Sequence, residues 1–458
     1  MSSGMAYVVV DLGYGDAGKG TIVDALTRKK DVKLIVRFNG GGQAAHNVVL
    51  PDGIHHTFAQ FGSGSFVPGV KTYLSSFFRW NPISMMAEAE VLASKGVPDI
   101  LSRVYVDEQA LIVTPWHRAF NRLQEHARGN DRHGSCGEGI GDATGDFKCL
   151  SSESYLLAGE IWHRSVEDIT NKLERIAFLK RDSWNVMNKT WRSSCDLPHE
   201  DFVFLMDPEK PRKCAHLYKR ISERVNIVGC QLGLTPHLFD IIRPEDGDII
   251  FEGAQGILID ESYGFAPYQT WSDCTSRNAL ELLRQAGWAG GTHVIGVTRP
   301  YAIRHGAGPF PTEDALMSRS DIFAEVHNIA NPWQGAARIG HFDAVATNYA
   351  IEADGHIDSL AITNLDRFVD RQWKICTGYS ASDGNGPLVF TPAWKQKHED
   401  KATDYMNHVM PYYDGESWSL DVKVLRRRIG ELLDRPTSIV SYGPDWMKKL
   451  YGLDGLWL

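Results

Sequence analysis

A β-branched run, Val8-Val9-Val10, breaks into Asp11-Leu12-Gly13-Tyr14-Gly15-Asp16-Ala17-Gly18-Lys19-Gly20-Thr21. This stretch constrains the fold most, because a strand that opens through glycines into a helix start is a phosphate cradle. Glycines let the backbone turn sharply and come close to an anion, and the helix start offers unpaired N–H groups at the positive end of its dipole. Gly15, Ala17, Gly18, Lys19 and Gly20 are therefore read as nucleotide-binding, with Lys19 adding a full charge. Two fingerprints overlap here. Gly13-x-Gly15-x-x-Gly18 spells a dinucleotide site, and Gly13-x-x-x-x-Gly18-Lys19 spells most of a nucleoside-triphosphate loop. The first wants an acid at the end of the second strand, but Lys33-Leu34-Ile35-Val36-Arg37-Phe38 ends on Arg37. The second wants Ser or Thr directly after the lysine, and Gly20 intervenes before Thr21. A lysine among the glycines favours the triphosphate over a nicotinamide-dependent dehydrogenase, without closing either reading.

The chain has 458 residues, room for two or three average domains or for one continuous α/β core with appended lobes. No apolar run reaches the roughly 18 residues of a membrane span, so a soluble protein is expected. The net charge of −9 disfavours nucleic acid and anionic membranes as partners and leaves small molecules. Seven widely spaced cysteines without metal-ligand spacing, and no secretory signal, suggest a reducing cytoplasm.

Along the chain, Pro51-Asp52-Gly53 turns a hairpin between Val48–Leu50 and Ile54–Thr57, and Asn81-Pro82 and Thr114-Pro115 open helices that end near Gly96 and Gly129. Gly134–Gly141 is too glycine-rich for regular structure and reads as a mobile loop. Ser165-x-x-Asp168 opens a helix to Phe178, and residues 180–202 resemble an insertion. Asp248-Ile249-Ile250-Phe251 is a buried strand that delivers Glu252-Gly253-Ala254-Gln255-Gly256 at its C-terminal end. Further strands are expected at 294–297, 359–363, 373–377 and 438–441, and helices at 276–286, 321–329 and 422–433. The alternation predicts an α/β fold with a mainly parallel central sheet and ligands at the carboxyl ends of its strands.

Six separated stretches together resemble the adenylosuccinate synthetase family, whose members use GTP to join aspartate to inosine monophosphate. They are Gly15–Gly20, Arg37–His46, Phe251–Gly256, Gly306–Glu313, Thr363–Asp366 and Ser441–Asp445, in family order across nearly the whole chain. The resemblance implies a single large P-loop-related domain over 1–458, a homodimer, GTP as co-substrate and Mg2+. It makes Asp16 the catalytic base and a magnesium ligand, together with the carbonyl of Ala45. His46 becomes the second catalytic group, hydrogen-bonded to the phosphoryl in transfer. Asp366 reads the guanine, with Ser441, Gly443 and Pro444 closing round it, although Asn364 replaces the family lysine in that motif. Gln43 and Gln255 face the acceptor, and Thr270, Ser135 and Cys136 its phosphate.

The departures cluster on the acceptor and amine side. Ser135 and Cys136 stand where the family has two threonines, and an arginine lent by the partner subunit has no counterpart among Phe147–Glu153. The family's amino-acid loop carries four consecutive arginines, whereas Asn331–Asp343 keeps only Arg338, the residue left to bind the amine. Bidentate arginine–carboxylate contacts are strong and geometrically demanding. The expectation is thus a divergent paralogue that applies the same carbonyl activation to another acceptor, another amine, or both, in a specialised nucleoside or secondary pathway. Ordinary adenylosuccinate synthesis in purine biosynthesis is the alternative. A non-catalytic nucleotide-binding module would be expected to have lost Asp16 or His46.

Overall fold

The computed structural model describes residues 4–43, 45–190, 199–229, 241–323, 335–368, 372–380, 387–388, 390–414, 418–419 and 421–452. Ten strands form one sheet, in the order Lys449–Tyr451, Thr437–Ser441, Ser359–Ile362, Gly291–Thr298, Met5–Asp11, Asp248–Glu252, Val32–Arg37, Lys71–Leu74, Val104–Asp107 and Asn226–Val228. Every neighbouring pair is parallel except the first, which is antiparallel. The Met5–Asp11 strand lies inside the sheet with both faces covered, so its side chains divide between two cores. Val8 and Val10 belong to the same core as Ala279 and Leu283 of the Arg277–Ala286 helix on one side. Tyr7 and Val9 meet Ile22, Val23 and Leu26 of the Lys19–Lys29 helix on the other. Burial on both faces is why these strands read as continuous apolar runs without alternation.

Register fixes which residues share the functional edge. Val9 pairs with Glu252 on one side and with Ile295 on the other, and Glu252 pairs with Arg37. The loops after Asp11, Arg37, Glu252, Thr298, Ile362 and Ser441 therefore leave the same edge of the sheet. A second core, built by the helices Pro82–Ser94, Pro115–Arg128, Val166–Thr190 and Lys210–Ser222, packs beyond the far strands and flanks that edge.

The hairpin is present, His46–Val49 pairing antiparallel with His55–Phe58. Asn81 caps its helix as expected, its side chain accepting from Ser84 N. The helix from Val166 does not stop at Phe178 but runs unbroken to Thr190, with Lys180 and Trp184 buried on it. Residues 180–190 thus continue a helix, and 191–198 of the expected insertion lie outside the described residues. Gly134–Gly139 is irregular, but Ile140 and Gly141 already belong to the helix Ile140–Cys149. The strand expected at 373–377 is split between Gln372–Trp373, which pairs with Trp418–Ser419, and Ile375–Ser380. Of the helix expected at 321–329, only the single turn Asp321–Phe323 falls within the described residues.

Candidate active site

The glycine loop wraps around a carboxylate of its own. Asp11, at the end of the first strand, accepts from the backbone N–H groups of Gly13 at 2.8 Å, Gly15 at 3.3 Å and Ala17 at 2.8 Å. Lys19 Nζ lies 3.0 Å from the same carboxylate and also donates to the carbonyls of Gly15 and Gln255, each at 2.8 Å. All three ammonium protons of Lys19 are used inside the loop. Gly18 caps the helix in a left-handed conformation and offers no side chain to the first-turn N–H groups. Those groups are what a helix start presents to an anion. Gly20 has its own explanation: a Cβ there would lie 2.8 Å from His46 Cβ and 3.1 Å from Ser63 Oγ. The residue that interrupts the expected lysine-to-hydroxyl sequence is where the His46 strand crosses the helix.

His46 is buried, and its Nδ1 lies 2.5 Å from Oε1 of Glu252. Glu252 is itself fully buried and accepts from the Ser63 backbone N–H at 2.9 Å and from the Ser63 hydroxyl. Burial works against its ionised form, but His46, Arg37 and Ser63 outweigh burial and hold the carboxyl down at about 2. Burial also lowers His46 from its ordinary value, against the pull of Glu252. The carboxylate receives Nδ1–H and, by its charge, favours a second proton on the ring. Nε2 is then a buried nitrogen with no hydrogen-bond partner among the described residues, on a side chain that lines a cavity.

That cavity, of about 230 Å³, is lined by Gly15, Asp16, Gly18, Lys19 and Gly20 from the loop, by Ala45 and His46, and by Asp366, Ser441, Gly443 and Pro444 at the far end. Ala17 lies just beneath, its carbonyl accepting from the Thr363 hydroxyl at 2.5 Å. The far end is tied to the helix by Thr21 Oγ1, which donates to the Pro444 carbonyl at 2.7 Å. Lys449 stiffens it, donating to Gly443 O at 2.7 Å and Asp445 O at 2.8 Å, with burial pulling its pKa down to about 8. Asp366 is exposed in the turn Leu365–Phe368, and Asn364 before it takes a positive φ of 54°, which asparagine tolerates better than most residues.

A second cavity, of about 450 Å³, gathers Gln43, Ser135, Cys136, Gln255 and Thr270, all five residues expected at the acceptor. Gln255 sits at a positive φ of 64°, with its carbonyl on Lys19 and its side chain towards this cavity. Both amide atoms of Gln43 are buried without a partner among the described residues. The Cys136 thiol is pushed up to about 12 by burial and by Glu138, so it stays neutral. The two cavities adjoin at Asp16, on the first, and His305, on the second, whose Nε2 is 3.7 Å from Asp16 Oδ2. Glu252, Asp11 and His305 were not singled out from sequence. The signal available for Glu252 was a carboxylate closing an apolar strand, and none marked His305.

A family model described as adenylosuccinate synthetase matches residues 8–448. The chain belongs to the adenylosuccinate synthetase family. It is 30% identical to the adenylosuccinate synthetase of Ectopseudomonas mendocina and 29% identical to that of Vibrio parahaemolyticus, in each case over 96% of this chain and at least 96% of the relative. The solved fully ligated adenylosuccinate synthetase of Plasmodium falciparum superposes with a TM-score of 0.77 at 19% identity, covering 97% of this chain and 99% of that one. The succinoaminodeoxyadenylate synthetase of cyanophage S-2L, solved with dGMP and with dATP as an energy donor, gives 0.59 at 18% identity, with 98% and 95% covered. Membership makes the chain a C–N bond-forming ligase. Among the described residues no helix is long and apolar enough to cross a membrane.

Arg338, the residue expected from sequence to bind the amine, donates to Glu313 Oε2 at 2.7 Å and to the carbonyls of Gly306 and Gly308, each at 2.9 Å. It lines neither cavity. Residues 331–334 of the loop lie outside the described residues. Within Phe147–Glu153, the stretch searched for an arginine counterpart in the sequence, Lys148 is paired with Glu261 at 2.7 Å.

Proposed function

We propose that this ligase uses GTP to phosphorylate the carbonyl or lactam oxygen of a purine-like acceptor, and that an amine other than aspartate then displaces the phosphate. The observation that carries this reading is His46: a buried imidazole held by Glu252 on the wall of the donor cavity that Asp16 also lines, with Nε2 unpartnered among the described residues. Asp16 removes the acceptor's N–H proton, which concentrates charge on the carbonyl oxygen as it attacks the γ-phosphorus. His46, carrying a proton on both nitrogens as the ionised Glu252 favours, and the first-turn N–H groups of the helix hold the phosphoryl oxygens where charge develops. Lys19 keeps the loop in shape through Asp11. The oxygen-only donor set of Asp16, the Ala45 carbonyl and the nucleotide's own phosphates suits Mg2+, which prefers few protein ligands. When bound, the ion offsets phosphate charge. Homodimerisation follows by family analogy.

GTP is preferred because Asp366 supplies a carboxylate acceptor for the guanine N–H groups. By calorimetry GTP should bind more tightly than ATP, and Asp366→Ala should erase the difference. The dATP donor of the phage synthetase makes this a discriminating test, and equal or tighter ATP binding removes the claim.

Inosine monophosphate with aspartate should be a poor pair. Aspartate brings two carboxylates that must be desolvated, and a buried carboxylate without charged donors is costly. Arg338 is already bonded to Glu313 and two carbonyls. Phosphate release from GTP, measured with this pair and with a panel of amines, should favour a less anionic amine. A Michaelis constant for aspartate in the usual range of roughly 1 μM to 1 mM would return the chain to ordinary adenylosuccinate synthesis.

A further inference from the structure

The wall of the acceptor cavity away from Asp16 has an unusual charge balance for a site expected to seat a phosphate. Its cations are bonded within the chain, two to carboxylates and Arg304 to carbonyls. Arg128 pairs with Glu125, and Lys180 donates to Asp146 at 2.7 Å, which also meets His117 Nε2 at 3.1 Å. The buried Arg304 spends Nε on Ala307 O at 3.1 Å and Nη1 on Pro309 O at 2.8 Å, with its plane over the Tyr14 ring. Glu138 takes the interest of Arg118 and Arg122, each at 3.6 Å. Burial lowers His133, which favours its neutral form.

Asp142 breaks this pairing. It lines the cavity and makes no ion pair among the described residues, and burial pushes its carboxyl up to about 6 against the pull of Lys180, Asn121 and Arg128. Asn121 in turn accepts from the Ser135 hydroxyl at 2.9 Å. Ser135 and Cys136, the neighbours expected at a phosphate, therefore offer one hydroxyl already donating elsewhere and one neutral thiol. A dianion placed here would be stripped of water, would find among the described lining residues of this chain only cations already bonded, Arg304 to carbonyls and Arg128 and Lys180 to carboxylates, and would face Asp142. A sugar hydroxyl fits the same wall, since it can donate to Asp142 and accept from neighbouring N–H or O–H groups.

We infer that the acceptor is unphosphorylated, a nucleoside-like molecule whose hydroxyl groups are received by Asp142 beside Ser135 and Asn121. This rests on the functional reading above, which places a purine-like acceptor in that cavity. The substrate class then differs from a nucleotide at the end remote from the chemistry, while the donor half is unchanged.

The test is calorimetry on the full chain, saturated with GDP and magnesium, titrated separately with inosine, inosine monophosphate, guanosine and guanosine monophosphate. The nucleoside of at least one pair should bind ten or more times more tightly than its monophosphate. Asp142→Asn should narrow that ratio at least tenfold, by strengthening the monophosphate and weakening the nucleoside. The wild-type ratio decides the matter without any variant. A monophosphate that binds as tightly as its nucleoside, or more tightly, overturns the inference and leaves the functional reading standing. Binding of none of the four overturns the purine-like acceptor itself, and the inference with it.

Discussion

Asp16→Asn and His46→Asn are each expected to lower turnover with the true substrate pair by roughly two to four orders of magnitude while leaving the melting temperature nearly unchanged. The two parts of this expectation have separate grounds. Asp16 is a partly exposed loop residue between two cavities, so replacing its carboxylate by an isosteric amide removes a base without opening the core. His46 is buried, and asparagine keeps an N–H for Glu252 while it withdraws the nitrogen that faces the donor cavity. Steady-state phosphate release and a thermal melt on the same preparations separate chemistry from folding. An unfolded variant, or one with near-normal turnover, would show that the side chain belongs to the scaffold. Glu252→Gln adds a discriminating control, because an amide cannot hold the imidazole as the ionised carboxylate does, and turnover should fall even though Glu252 touches neither cavity.

The donor half of this site was legible in the sequence because its chemistry sits where strands end. Asp16, His46, Asp366 and Ser441 all follow β-branched runs or glycine clusters, and a parallel sheet brings such ends to one edge. What the sequence hides is the partner of each charge. Lys19 reads as a free cation for phosphate, yet its ammonium is spent on Asp11, Gly15 and Gln255, the last 236 residues away. Arg338 reads as the residue left for a substrate carboxylate, yet Glu313 holds it from 25 residues away. Such pairings depend on loop paths that no local pattern encodes. Length hid other elements: Lys71–Leu74 and Val104–Asp107 are four-residue strands, too short for an alternation to register. The helix Ala344–Asp354 is buried nearly all round, so it lacks the amphipathic stripe that marks a surface helix.

The pairing of Lys19 with Asp11 leads to the largest expected effect on stability. Both side chains are buried, at 2% and 1% exposure, so neither charge can be relieved by water if the other is removed. Breaking a buried pair from one side costs about 3–5 kcal/mol. Asp11→Asn should lose that and more, because the carboxylate also receives three loop N–H groups, of which a single amide oxygen can serve only some. Lys19→Met should cost a similar amount by stranding the Asp11 carboxylate among dipoles that only partly compensate it. The double variant Asp11→Asn with Lys19→Met is the decisive comparison. If the cost of each single change is mainly an uncompensated buried charge, the double variant should be clearly more stable than additivity predicts, because no charge is left behind. Thermal melts of the four proteins read this directly. Strict additivity would mean that the two side chains stabilise the loop independently, and the glycine loop would then owe its shape to the backbone alone.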